Sequence, residues 1–116
     1  MDRVNKVLKD MSEDGLGIIT SADLKDKLME EEIYLLDIRR REDYDKGHIK
    51  NAKHCEWFKV RDLLEKEELP KDKTIITICY SGQSSMQIAT ILNITGYHAL
   101  SLLDGMNEWT GEKFNE

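Results

Sequence analysis

The chain has 116 residues, of which 40% are hydrophobic and 34% are charged, and its formal net charge at pH 7 is −6. This length suits one domain with a core of its own, and the composition excludes a disordered chain. An acidic chain is a poor binder of nucleic acid, because contacts to phosphates require a basic surface. No run of 18 apolar residues would span a membrane, and the first 15 residues lack the apolar segment of a signal peptide. We therefore expect a cytoplasmic protein that binds neither nucleic acid nor a membrane.

The first half of the chain predicts an N-terminal helix followed by the start of a layered domain. Residues 3–11 carry apolar side chains at helical spacing, so we assign residues 1–14 to a helical extension and residues 15–116 to the domain. Five elements follow: a short strand, a helix capped by Thr20 or Ser21, a second strand, a charged stretch and a short third strand. Their ranges, in that order, are 16–19, 20–32, 33–36, 39–46 and 52–56.

The second half of the chain continues the alternation of helices and strands. An amphipathic helix at 57–67 precedes the strand 74–78, whose residues are all apolar or β-branched. A strand without a polar face is typical of the centre of a parallel sheet covered by helices on both sides. A helix at about 84–93 that stops at Gly96, a strand at 97–102 and a short terminal helix complete the chain. This alternation predicts an α/β fold with a mainly parallel sheet.

A stretch of 30 residues without charge, residues 74–103, covers the predicted central strand, the helix after it and the next strand. It contains no Asp, Glu, Lys or Arg, whereas 16 of the 17 basic residues precede it. Burial of a sheet on both faces is a sufficient reason for such a gap. The stretch includes Cys79, one of two cysteines; the other is Cys55, and in a reducing compartment both should be free thiols.

The surroundings of Cys79 favour a reactive thiol. It directly follows the predicted central strand, at the edge of the sheet where α/β proteins bind ligands. A cysteine in an apolar run is more often an inert core residue. Here, however, a small polar loop with Gly82 leads into a helix, and the free N–H groups and dipole of that helix stabilise a thiolate. From the residues alone, a phosphatase, an arsenate reductase and a sulfurtransferase all stay open.

Four segments resemble, in order along the chain, the motifs of the rhodanese family. They are 37–52, with its D-I-R and G-H-I, the turn 69–73, the loop 79–85 (CYSGQSS) and the closing segment 96–109, which contains LDGMNEW. The resemblance covers about residues 16–111. It implies a three-layer fold in which a five-stranded, parallel sheet is flanked by helices.

The resemblance also implies a reaction. Cys79 would take a sulfane sulfur from a donor, either a small molecule such as thiosulfate or a protein persulfide, and hold it as a persulfide. A thiol or cyanide would then accept the sulfur, with no metal or organic cofactor. The backbone groups that would cradle the sulfur belong to Tyr80, Ser81, Gly82, Gln83, Ser84 and Ser85. The alternative that the resemblance leaves open is a non-catalytic or regulatory module that carries sulfur or binds a partner.

The predicted loop departs from the family pattern in one respect that bears on its ligand. Many family members have an arginine in the loop where this chain has Ser84. Cysteine phosphatases also need a closing arginine that grips the phosphoryl oxygens, so its lack disfavours a phosphatase. If the neighbouring loop lines the pocket, Arg40 or Arg41 could supply a cation, although a solvated run of charges is the more ordinary interpretation.

Three further residues are candidates for supporting roles. Asp37 and Arg39 lie at the end of the second predicted strand and could face the site, but a structural ion pair such as Arg39 with Glu42 is the favoured interpretation. Cys55 could resolve an oxidised Cys79 only if the two thiols lie within reach, and a packing role is favoured.

Overall fold

The computed structural model describes residues 2–13, 17–29 and 32–114. Within these residues lies a sheet of five strands, and every pair of neighbouring strands is parallel. Its spatial order is β1-β5-β4-β2-β3, which places β4 at the centre. The strands are β1 (Ile18–Ile19), β2 (Ile33–Asp37), β3 (Lys53–His54), β4 (Thr74–Ile78) and β5 (His98–Leu102). The prediction of a five-stranded parallel sheet is therefore confirmed.

Helices cover both faces of the sheet. On one face, α2 and the closing 3-10 helix pack through Leu24 and Met106; on the other, α4 and α5 pack through Val60 and Leu92. The helices are α1 (Asp2–Glu13), α2 (Ser21–Lys27), α3 (Arg41–Lys46), α4 (Val60–Glu65) and α5 (Gln83–Ile94), with 3-10 helices at Trp57–Lys59 and Gly105–Glu108. The result is the predicted three-layer α/β fold.

The central strand β4 is buried on both faces, as its sequence predicts. Ile76 and Ile78 belong to the core on one side of the sheet, and Ile75 belongs to the core on the other. This division follows from the two-residue period of a strand. Thr77 is fully buried, and its hydroxyl is satisfied because it donates to the Ser85 carbonyl at 2.7 Å. Two-sided burial thus explains the lack of charge in this part of the chain.

Several local features differ from the sequence prediction. The charged stretch 39–46 contains the helix α3, which periodicity did not reveal because α3 buries no residue. The helix predicted over 20–32 has Thr20 as its N-cap and ends at Lys27, and residues 30–31 lie outside the described residues. The third strand is shortened to two residues, and the helix predicted at 57–67 begins with a 3-10 turn.

Ahead of the sheet, α1 forms the helix that was predicted for residues 3–11 and packs against α5. Its Val4 and Leu8 side chains are exposed. The boundary between an extension at 1–14 and a domain at 15–116 stays a prediction. Among the described residues, no helix combines the length and apolar character needed to cross a membrane.

Candidate active site

The site lies where the two central strands end. In the parallel pair of β2 and β4, Asp37 is opposite Ile78, so the residues that follow each strand emerge side by side. The Ile38 N–H donates to the Ile78 carbonyl at 2.9 Å and extends this pairing by one residue. Cys79 therefore begins its loop beside the segment that leads from β2 into α3. Its side chain is 3% exposed.

Two backbone N–H groups point at the sulfur of Cys79. Gly82 donates to Sγ at 3.1 Å and Ser85 at 3.3 Å, so the loop bends around the sulfur. Gly82 has a φ of 98° at the start of α5, a conformation that favours glycine. A Cβ there would lie 3.1 Å from the Asp104 nitrogen. The dipole of α5 and the two N–H groups all favour negative charge on the sulfur.

A chain of buried hydroxyls continues from the sulfur into the protein. Cys79 Sγ lies 3.3 Å from Ser85 Oγ, which lies 2.6 Å from Ser101 Oγ, and the Ser101 hydroxyl reaches the Gly82 carbonyl at 3.4 Å. Each hydroxyl can donate in either direction along this chain. A thiol can donate to Ser85, while a thiolate can accept from it once Ser101 donates to Ser85. The chain can therefore satisfy both protonation states of the sulfur.

The closing segment holds the backbone of the Cys79 loop in place. Met106 N–H donates to the Cys79 carbonyl at 2.8 Å, and Asn107 N–H donates to the Tyr80 carbonyl at 2.9 Å. Gly105 permits this approach, because a Cβ there would lie 2.5 Å from both of those carbonyl oxygens. The glycine of the LDGMNEW motif thus has a direct packing reason.

Of the six predicted cradle residues, Gly82 and Ser85 reach the sulfur through their N–H groups. Ser81, Gln83 and Ser84 are exposed, and none of their N–H groups donates to a described residue. Within residues 2–13, 17–29 and 32–114, these N–H groups therefore have no acceptor and stay available as donors.

Tyr80 connects the Cys79 loop to the segment after β2. Its hydroxyl accepts from the Arg40 N–H at 3.2 Å and donates to the Asp43 carboxylate. Partial burial, and then the hydrogen bond to Asp43, raise the pKa of the Tyr80 phenol. The phenol therefore stays a neutral donor at physiological pH, and it ties the two loops together.

Asp37 and Arg39, at the end of β2, form a buried ion pair. Arg39 donates to both carboxylate oxygens of Asp37, at 3.0 Å from Nε and 2.8 Å from Nη2, and Nη2 also donates to the Gly47 carbonyl. Asp37 is fully buried and Arg39 is 7% exposed. This is the structural arrangement favoured from the sequence, except that the partner of Arg39 is Asp37 and not Glu42.

Cys55 follows the end of β3, and its surroundings differ from those of Cys79. It is half-buried, and its thiol lies 3.7 Å from the Glu56 carbonyl oxygen. Burial raises the pKa of the Cys55 thiol, and the nearby Asp62 carboxylate raises it further. Both effects favour the protonated thiol over the thiolate, which is the nucleophilic form.

Two contributors to the site were not singled out from the sequence. Ser101 lies in β5 opposite Thr77 of β4, and both side chains are buried and polar. A hydroxyl at the fourth position of each of these two mostly apolar strands is a signal that could have indicated a hydrogen-bonded chain. Asp43 gave no such signal, because it stands in a charged stretch and meets Tyr80 through tertiary contact alone.

The fold and the loop agree with what sequence comparison finds. The family model of the rhodanese-like domain matches residues 20–112. The chain belongs to the rhodanese-like family. The match includes β2, Cys79 with its loop, and the closing segment.

Relatives of this rhodanese-like chain carry sulfurtransferase names. YtwF of Bacillus subtilis, whose name assigns it provisionally to the sulfurtransferases, is 38% identical over 96 residues, which are 81% of this chain and 90% of YtwF. The thiosulfate sulfurtransferase GlpE of Coxiella burnetii is 33% identical over 79 residues, or 67% of this chain and 72% of GlpE. The crystal structure of a rhodanese-like domain protein from Staphylococcus aureus has a TM-score of 0.73 at 29% identity, covering 81% of this chain and 90% of that one.

Proposed function

We propose that this protein is a sulfurtransferase that carries a sulfane sulfur on Cys79. The observation that carries the proposal is the pair of N–H groups, from Gly82 and Ser85, that point at the buried sulfur at the start of a 12-residue helix. These donors favour the thiolate, which is the nucleophilic form of cysteine.

The reaction takes place in two half-reactions. The Cys79 thiolate attacks the outer sulfur of thiosulfate, a new S–S bond forms, and the S–S bond of the donor breaks with its electron pair leaving on sulfite. The negative charge of the thiolate passes to the terminal sulfur of the persulfide. A thiolate acceptor, or cyanide, then attacks that terminal sulfur and releases Cys79 as a thiolate. Neither half-reaction needs a further oxidant or a general base.

The persulfide extends the anion from Sγ to a second sulfur atom. The N–H groups of Ser81, Gln83 and Ser84, which donate to no described residue, suit this outer sulfur. Gly82 and Ser85 would continue to hold the inner one. Both anionic states of the cycle are thus stabilised by backbone groups, so the loop needs no charged side chain for the covalent step.

Intact mass spectrometry tests this proposal directly. The wild-type chain and Cys55→Ser should each gain the mass of one sulfur atom after incubation with thiosulfate, and should lose it again on addition of cyanide. Cys79→Ser should gain nothing. A wild-type protein that gains no sulfur from thiosulfate, or from a persulfide donor such as glutathione persulfide, would overturn the proposal. It would favour the non-catalytic module that binds a partner.

A further inference from the structure

The loop around Cys79 has no positive side chain to offer an anionic donor. Residues 74–103 contain no Lys or Arg, so every donor that the loop supplies, from its backbone N–H groups or from its hydroxyl and amide side chains, is uncharged. Two N–H groups at the sulfur suit a single negative charge. A donor such as thiosulfate brings two further charges close to the Cys79 thiolate, and repulsion between them opposes the encounter unless a cation is near.

Three consecutive arginines lie on the neighbouring segment, and the structure separates their roles. The Arg39 guanidinium is buried and neutralised by Asp37 at 2.8 Å. Arg41 is directed along α3 and toward β3, because its Nε lies 3.6 Å from the Asp45 carboxylate and its Nη1 lies 3.2 Å from His54 Nδ1. The Arg39 guanidinium is therefore unavailable to a ligand of the Cys79 loop, and the Arg41 guanidinium, although exposed, already has partners on α3 and in β3.

Arg40 differs from both of its neighbours. Its backbone N–H donates to the Tyr80 hydroxyl at 3.2 Å, which places Arg40 against the side chain of the residue that follows Cys79. Its side chain is exposed, and no carboxylate within residues 2–13, 17–29 and 32–114 forms an ion pair with it. The carboxylate of Asp43, on the same segment, is already engaged by the Tyr80 hydroxyl.

We propose that Arg40 forms a subsite at the mouth of the Cys79 loop for the oxyanion end of a dianionic sulfur donor of the thiosulfate class. The donor's outer sulfur faces the thiol and the loop N–H groups, while its sulfonate oxygens face the guanidinium. This inference rests on the proposed function for its substrate, and it assigns to Arg40 the charge that the loop lacks. A guanidinium suits this role, because its planar donors match oxyanions.

Tyr80 acts as a positioning residue for this subsite. Its hydroxyl holds the Arg40 backbone and at the same time occupies Asp43. Tyr80→Phe would release that carboxylate, which could then pair with Arg40 and compete with the donor. Loss of an uncharged hydroxyl should therefore weaken anion binding in the same direction as loss of Arg40, but to a smaller extent.

Charge at the mouth of the loop can be measured without any sulfur transfer. In a Cys55→Ser background, Cys79 is the one thiol, and its alkylation by iodoacetate and by iodoacetamide compares an anionic probe with a neutral one. The measured quantity is the ratio of the two rate constants at low ionic strength. Arg40→Gln should lower this ratio about 3- to 10-fold, as expected for the loss of one nearby charge, and added salt should shrink the difference.

Three variants make this measurement decisive. Arg61→Gln is the matched control, because this substitution removes the same net charge at a different place. Arg61 lies on α4 and pairs with Glu65. Arg41→Gln tests the neighbouring cation, and Arg40→Lys should restore most of the ratio. An unchanged ratio in Arg40→Gln, or an equal loss in Arg41→Gln or Arg61→Gln, would overturn the proposal.

Steady-state kinetics then connect the subsite to the donor. Arg40→Gln should raise the KM for thiosulfate about 3- to 10-fold while kcat changes less than twofold, and benzenethiosulfonate, which carries one charge, should be affected less. Equal effects on both donors would contradict the subsite. If the wild type gains no sulfur from any donor, the proposed function fails, whereas the alkylation ratio still decides whether Arg40 places a positive charge at Cys79.

Discussion

The two cysteines of this chain occupy equivalent places in the fold and have opposite chemical environments. Each stands directly after a parallel strand, Cys55 after β3 and Cys79 after β4, and each packs against the same hydrophobic core. Cys79 receives two N–H donors and begins a loop that leads into α5. Cys55 donates to a carbonyl oxygen and lies among carboxylates that raise its pKa.

The difference shows that a position at the end of a strand does not by itself bring N–H donors to a thiol. What distinguishes Cys79 is the backbone that follows it. Gly82 turns the chain so that N–H groups face the sulfur, and a 12-residue helix adds its dipole. Cys55 is followed by the short 3-10 helix Trp57–Lys59, whose residues supply no such donors to it.

The strongest contrast is expected from replacing each thiol in turn. Cys79→Ser should reduce sulfur transfer from thiosulfate to the uncatalysed background, because a serine hydroxyl cannot form the persulfide. Cys55→Ser should keep the wild-type rate within about twofold, since its thiol is held protonated. Thiocyanate formation from thiosulfate and cyanide measures both. Large losses in both variants would show that the two cysteines act together and that the contrast drawn here is wrong.

The closing segment should be essential to the Cys79 loop and irrelevant to Cys55. In Gly105→Ala the new Cβ would lie 2.5 Å from the carbonyl oxygens of Cys79 and Tyr80, which is too close. The alanine would also have to adopt the φ of 58° that Gly105 has. We expect a loss of roughly 2–5 kcal/mol in the free energy of unfolding, from strain and overpacking together. Urea denaturation measures this loss.

Gly47→Ala is the matched control for that substitution. Its Cβ would lie 3.4 Å from the flexible Lys113 side chain, and the residue has an extended backbone. It should cost less than about 1 kcal/mol. Similar losses in the two variants would argue against a specific role for Gly105 at the Cys79 loop.

The hydroxyl chain behind Cys79 should contribute a smaller, measurable part of the rate. Ser101→Ala removes the hydroxyl 2.6 Å from Ser85 Oγ, so Ser85 loses the donor that lets it turn toward a thiolate. Loss of one such hydrogen bond is worth about 1 kcal/mol, which corresponds to about a fivefold slower formation of the persulfide. Rapid-quench mass spectrometry follows this step.

Thr90→Val serves as the control for loss of a hydroxyl, because Thr90 is exposed on α5 and donates within its own helix. It should leave the rate of persulfide formation unchanged. If Ser101→Ala forms the persulfide as fast as the wild type, Ser101 does not contribute to this step. The two N–H groups of Gly82 and Ser85 would then account for the stabilisation of the thiolate.

The smallest effect is expected at Cys55. Asp62→Asn removes the carboxylate that, after burial, contributes most to the raised pKa of the Cys55 thiol. A lower pKa means more thiolate at a given pH below it, so alkylation of Cys55 at pH 8 should become about two- to threefold faster. The experiment uses a Cys79→Ser background, with Asp72→Asn as the control. An unchanged or slower reaction would show that Asp62 does not govern this thiol.

Much of the fold follows from local patterns, and the exceptions have physical reasons. The strand β4 was predicted over its full length because a β-branched run without charges fits a buried strand. The alternation of elements places a helix between the second and third strands, but its bounds were not predicted, because α3 has no fully buried side chain and so no apolar period to detect. The strand β3 lies at the edge of the sheet, where pairing on one side leaves its two residues weakly constrained.

The candidate site was predicted in outline and completed by tertiary contacts. The sequence indicated Cys79 and its loop, because a strand, a cysteine, a polar loop with glycine and a helix are consecutive in the chain. It did not indicate Ser101 or Asp43, since each meets the loop from a distant part of the chain. From the sequence, Arg40 and Arg41 were equivalent candidates for a cation near the site. The structure distinguishes them, because Arg40 contacts Tyr80 whereas Arg41 contacts Asp45 and His54.

From the sequence alone follow the layers of the fold and the place of Cys79 between a buried strand and a polar loop that leads into a helix. Both depend on neighbours along the chain: hydrophobic period, turn residues and the start of a helix act over a few residues. The tertiary contacts establish which hydroxyls lie behind that thiol and which residues hold its loop. Those contacts depend on how β2, β4 and β5 align in the sheet. Because parallel strands are joined by long connections, residues that meet at one edge of the sheet are far apart in the sequence.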